Sequence, residues 1–234
     1  MATASPFPSA PLPVRAEPSE FPLDPGCCAL LIIDMQRDFL EPGGFGEMLG
    51  NDVAPLRNAI APNQRLLAAW RMANWPVIHT REGHRGDLSD LPLSKKLRGR
   101  GKTCIGDAGP MGRILVRGEQ GHDIVPELYP RPGEPVIDKP GKGAFFATDL
   151  EVILRQRGIR QLVVTGVTTE VCVHTTVREA NDRGYECLVP EDCVASYFAE
   201  FQRAGLDMIS AQGGIFGWVS HSDRLLEAMQ GGGF

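Results

Sequence analysis

Residues 161–189, QLVVTGVTTEVCVHTTVREANDRGYECLV, decide the fold. The run 161–166 is apolar on both faces, as a buried parallel strand is. Residues 170–183 then read as a helix stopped by Gly184, and 186–189 as another apolar strand. A strand, a helix and a strand joined this closely form a right-handed crossover between parallel neighbours.

The same unit recurs on either side. Strands are predicted at 29–33, 76–80, 135–137 and 215–219. Helices are predicted at 63–73, 148–157, 200–210 and 222–229, with Thr148 as an N-cap and Gly158 as a stop. The pattern implies an α/β chain, a three-layer αβα sandwich of Rossmann-like form around a mostly parallel sheet of about six strands. It occurs once, so 27–234 is expected to be a single domain. Residues 1–26 form a proline-rich arm that favours extended backbone, either packed on the surface or left as a tail. The stretch 83–129 is polar and glycine-rich and reads as an elaborated loop region near the site.

Composition narrows the function. With 234 residues the chain can bury a sizeable core, and its net charge of −5 is wrong for a nucleic-acid binder. No apolar run approaches the ~18 residues of a membrane span. The N-terminal stretch lacks the basic and apolar regions of a signal peptide. The six cysteines show no CxxC spacing, so they are read as reduced thiols in a cytoplasmic protein. No histidine and acid cluster has metal-ligand spacing, and neither metal nor cofactor is expected.

In open parallel sheets ligands bind at the carboxyl ends of the strands. The residues just past each apolar run are therefore the informative ones: Asp34, Glu82 and His84, Lys139, and Cys172. An acid, a base and a thiol would meet on one edge. Taken alone, each has a plainer reading. Asp34 could cap a turn, although Asp38 suits that role better, Lys139 could be a solvated charge with Lys142 as its rival, and Cys172 could be a small core residue. At the start of a helix, free N–H groups and the nearby Lys139 would favour a thiolate at Cys172.

The segments LLIIDMQRDF, VIDKPGKGAFFATDLE and LVVTGVTTEVCVHTTVREANDRGYE resemble the three signature segments of the isochorismatase-like cysteine hydrolase superfamily. That resemblance implies a catalytic triad of Asp34, Lys139 and Cys172. It also implies a cis Val167–Thr168 peptide, with the N–H groups of Thr168 and Cys172 as oxyanion hole. Retention of the cysteine favours amide hydrolysis over vinyl-ether cleavage. HTREGHRGDLSDLP, RILVRGEQGHDIVPELYP and AQGGIFG further resemble the biuret and triuret hydrolase branch, which implies that Gln212 contacts a ureide. Glu82, His84, Arg85, Lys142 and Thr169 are additional substrate-contact candidates. Phe146 and Trp218 depart from the residues of that branch and leave the length of the ureide open. The expected partners are a small ureide or amide and further copies of the chain, as a tetramer, with contacts from the arm, Phe45 and Met48. Nucleic acid and membrane are not expected partners. Alternatives are a ureidoacrylate- or nicotinamide-type amidase, or a non-catalytic ligand-binding domain.

Overall fold

The structure, a computed structural model, describes residues 10–97 and 103–234. The strands run in chain order as β1 (Leu12–Val14), β2 (Phe21–Leu23), β3 (Cys28–Ile33), β4 (Val77–Glu82), β5 (Ala108–Gly109), β6 (Gly112–Arg113), β7 (Val136–Lys139), β8 (Gln161–Val167), β9 (Glu186–Pro190), β10 (Val194–Ala195) and β11 (Trp218–Ser220). Seven of them form the central sheet in the order β11-β9-β8-β3-β4-β7, with β10 also paired to β8, and every pairing is parallel.

Alternation along β3 divides the core. Leu30 and Ile32 join a cluster with Leu66, Leu67, Trp70, Leu225 and Met229, from the helices Ile60–Met72 and Ser222–Gly231. Ala29, Leu31 and Ile33 face the opposite layer, with Leu150, Leu154, Val177, Ala180 and Ile209 from the helices Leu150–Gln156, His174–Asp182 and Ala199–Gly214. A strand whose two faces both bury apolar side chains must lie inside the sheet. The three-layer architecture expected from sequence is the one observed.

Several boundaries differ from the sequence reading. The last strand is 218–220 rather than 215–219. The helix ahead of it leaves helical geometry at Ala211, Gln212 and Gly213, in agreement with the expected end at 210, and Gly213 and Gly214 take φ values of 81° and 87°, so 215–217 form the connection. Thr148 is one residue early as a cap, yet its hydroxyl still accepts the Leu150 N–H at 3.3 Å. Gly158 and Gly184 do stop their helices, with φ of 66° and 82°.

The arm is not a loose tail from residue 10 onward. β1 and β2 pair antiparallel, and Leu12, Val14, Phe21 and Leu23 are buried in the first core cluster. Pro6 and Pro8 lie outside the described residues. Trp218 belongs to this contact rather than to the site, since its ring lies 5.1 Å from that of Phe21 and its indole N–H donates to Ser19. Phe45 and Met48, read as subunit contacts, instead pack within the chain against Ile105, Ile114 and Leu115.

Candidate active site

Register places the expected residues on one edge. Ile33, the last residue of β3, pairs with Gly166 of β8, and Glu82, the last of β4, pairs with Lys139, the last of β7. Gly166 is required there. Its φ is 103°, and a Cβ would meet the Ile33 carbonyl oxygen at 1.9 Å.

Asp34 leaves β3 in the left-handed region, with φ of 47°, which Asp tolerates better than most residues. Its carboxylate accepts the Thr80 hydroxyl at 2.6 Å and lies 2.7 Å from Lys139 Nζ. Lys139 is fully buried, and Nζ also donates to the carbonyls of Gly141 and Lys142 at 3.1 and 2.9 Å. Three donors thus meet three acceptors. Burial works against the ammonium, but Asp34, Cys172 and Glu82 outweigh it and raise the pKa of Lys139 above its ordinary value.

Glu82 is completely buried, and three lysines surround it. Lys142 Nζ lies 2.8 and 2.9 Å from its two oxygens and Lys95 Nζ lies 2.7 Å from Oε1, with Lys139 close by. Burial alone would raise this carboxyl. The cations pull it down instead, to about 2. Its backbone is fixed by Gln36, whose amide accepts the Glu82 N–H at 2.7 Å and donates to the Glu82 carbonyl at 2.9 Å.

Cys172 follows the Val167–Thr168 peptide, which is cis, and sits in a π-helical turn, Thr169–Val173, rather than the first turn of an α-helix. Ligand atoms of Cys172, Asp34 and Glu82 lie within 4.8 Å of one another. The thiol donates to Glu82 Oε2 at 3.6 Å. The thiolate expected from sequence is corrected here. Burial raises the thiol well above its ordinary range, and Asp34 and Glu82 add to this against the pull of Lys139 and Lys142. Cys172 therefore rests protonated. The same three groups could surround a cation, but lysine ammonium groups already neutralise both carboxylates at 2.7 to 2.9 Å.

A cavity of about 240 Å³ opens beside Lys95 and Lys142, the lysines that clamp Glu82. Phe45, Leu49, Thr103, Cys104 and Ile105 complete its walls. Lys142 lines this mouth, as expected.

Other candidates take different places. His84 is buried behind Lys95, with Nδ1 at 3.2 Å from Asp90 and Nε2 at 3.0 Å from Lys95 Nζ. The Arg85 side chain is 63% exposed and faces Asp87. The Thr169 hydroxyl is held by the amide oxygen of Gln202. Gln212 is exposed at the break in its helix, with φ of 54°, and no contact joins it to Cys172, Asp34 or Lys139 among the described residues. Asp38 is buried and accepts the Leu115 N–H at 2.9 Å and that of Phe45, tying down the loops above the sheet. The sequence reading missed Lys95, Thr80, Gln36 and Gln202. Gln36, two residues past Asp34 at a strand end, carried a positional signal; Lys95, in an irregular loop, carried none.

The isochorismatase domain family matches residues 28–223. A cysteine hydrolase from Pseudomonas syringae pv. phaseolicola superposes with a TM-score of 0.77 at 27% identity, over 96% of this chain and 100% of that one. An isochorismatase family protein from Desulfovibrio vulgaris does so with a TM-score of 0.71 at 28% identity, over 87% and 98%. An N-carbamoylsarcosine amidase from Thermoplasma acidophilum shares the fold, with a TM-score of 0.64 at 24% identity over 84% and 97%. By sequence family and by fold together, this chain belongs to the isochorismatase-like hydrolases.

Proposed function

We propose that the chain is a cysteine amidohydrolase that releases ammonia from a small linear ureide, biuret or triuret. The observation that carries this reading is a buried thiol beside two carboxylates and three ammonium groups, next to a small cavity. At about 240 Å³ that cavity is below the ~300–1,000 Å³ usual for drug-sized ligands.

Asp34, Lys139 and Cys172 act as the triad. Three cations hold Glu82 ionised, so it is the poorer proton acceptor and Asp34 takes the thiol proton. The sulfur adds to a terminal carbonyl of the ureide, and the oxyanion is received by the N–H groups of Thr168 and Cys172. Asp34 returns the proton to the departing nitrogen, the C–N bond breaks and ammonia leaves a thioester. Water, deprotonated by Asp34, cleaves the thioester and restores the thiol. From biuret the products are ammonia and allophanate. Lys142, at the mouth, is the group best placed to meet a ureide oxygen. A pocket that pairs each donor and acceptor of a ureide rejects plain amides by leaving its own groups unpaired. The cytoplasmic setting and the homotetramer belong to the same reading.

Cys172→Ala and Cys172→Ser are expected to lose ammonia release from biuret and triuret by at least ~10³-fold with the fold intact. Turnover by a clean Cys172→Ala preparation overturns the nucleophile. A panel adding ureidoacrylate and nicotinamide tests the substrate; a preference for either removes the ureide assignment.

A further inference from the structure

Lys95 stands on a short helical turn, Leu93–Lys96, within the irregular segment that follows β4, yet its Nζ reaches the centre of the site. It lies 2.7 Å from Glu82 Oε1, 2.7 Å from the Pro140 carbonyl and 3.0 Å from His84 Nε2. His84 is fully buried and is in turn held by Asp90, which also meets Arg117 at 3.4 Å and accepts the Arg85 N–H at 3.0 Å. Lys95 shares Oε1 with Lys142, which also holds Oε2, the oxygen that the thiol of Cys172 faces.

Charge counting gives this clamp a purpose. Asp34 and Glu82 contribute two negative charges; Lys95, Lys139 and Lys142 contribute three positive ones. The surplus is one unit, the charge that a thiolate or an oxyanion brings. Resting on the reading of Cys172 as nucleophile, we propose that Lys95 is a positioning residue for the cysteine chemistry, locked by the Asp90–His84 pair, which supplies the third cation and aims Glu82 at the thiol. Lys95 acts through Glu82, the carboxylate it holds at 2.7 Å. The groups that bear on the thiol are Asp34 after β3, Glu82 on β4, Lys139 and Lys142 on and after β7, and Tyr197 after β10, while Lys95, with His84 and Asp90 behind it in the loop segment, reaches the thiol through Glu82.

The test is the pH dependence of Cys172 alkylation by iodoacetamide, followed on the Cys172 peptide by mass spectrometry, together with steady-state kinetics on biuret. Lys95→Met is expected to move the alkylation midpoint up by about one pH unit. It should lower kcat about ten- to a hundredfold, with KM held within about twofold. Lys95→Arg restores both. An unchanged midpoint in Lys95→Met overturns the proposal, as does a rise in KM at constant kcat, which would make Lys95 a substrate contact. Should Lys95→Met fail to fold, the Lys95→Gln midpoint decides by the same sign. Failure of the underlying reading shows separately, as turnover by Cys172→Ala.

Discussion

The buried pair of Asp34 and Lys139 is the strongest single dependence in the site. Both side chains are fully buried and 2.7 Å apart. Lys139→Met leaves a carboxylate in the interior without a counter-charge, which costs about 3–5 kcal/mol. A fall in thermal midpoint together with loss of turnover is the expected outcome. Gly166→Ala tests the close approach of β3 and β8. The methyl would overlap the Ile33 carbonyl oxygen at a positive φ, so a loss above about 3 kcal/mol, or no soluble protein, is expected in chemical denaturation. Asp34, Lys139 and Cys172 were legible because each lies just beyond an apolar run, where a parallel sheet must place its chemistry. Lys95 was not, because nothing in 83–129 repeats with a period that would place a side chain. The thiol's protonation was misread for a related reason. Its level is set first by burial and then by Asp34 and Glu82, and neither the depth of Cys172 nor the approach of Glu82 to the sulfur could be read from spacing alone.

Among the elements, β1 and β2 carry more than a proline-rich arm suggested. Phe21 is fully buried between Trp218 and the first core cluster. Phe21→Ala is expected to cost about 3–5 kcal/mol, read from denaturant midpoints, although the residue lies outside the matched family region. The hairpin was hidden in the sequence because each strand has three residues and contains a proline, so no alternation long enough to recognise is present. Helix stops at Gly158 and Gly184 were legible, since a left-handed residue there needs glycine. The helix end at 210 was legible too, but the start of the last strand was not, because apolar Ile215 and Phe216 run into it without interruption. Phe216 in fact lies under the Arg178 guanidinium, 4.1 Å from the ring centre.

For the molecule as a whole, no helix among the described residues is long and apolar enough to cross a membrane. Several buried groups shape its response to acid, His122 and Glu82 among them. His122 is held down to about 4 from 6.5, by burial and the nearby Arg81 guanidinium. The unfolded chain therefore takes up a proton before the folded one does, and stability present above pH 6.5 is lost toward pH 4. Glu82 follows in a lower window. Its folded value of about 2 lies below the ordinary 4.5, so its contribution, roughly 3 kcal/mol, is complete above pH 4.5 and disappears toward pH 2. Denaturation midpoints measured from pH 8 to 3 are expected to hold above about pH 6.5 and to fall below it, with Glu82→Gln lessening the decline below pH 4.5 and leaving the upper part in place.

One further effect arises where the proline-rich arm meets the last strand of the sheet. Glu17 exchanges both backbone hydrogen bonds with Val219, at 2.8 and 2.9 Å, on the outermost strand of the sheet. A border left bare would offer its amide and carbonyl groups to any passing extended chain, the usual seed of stacking into insoluble fibres. The amino-terminal segment thus acts as a selvedge, finishing the fabric so that it does not knit onto its neighbours. Protein lacking residues 1–20 should retain its folded interior briefly and then scatter light on standing, while the intact chain stays clear.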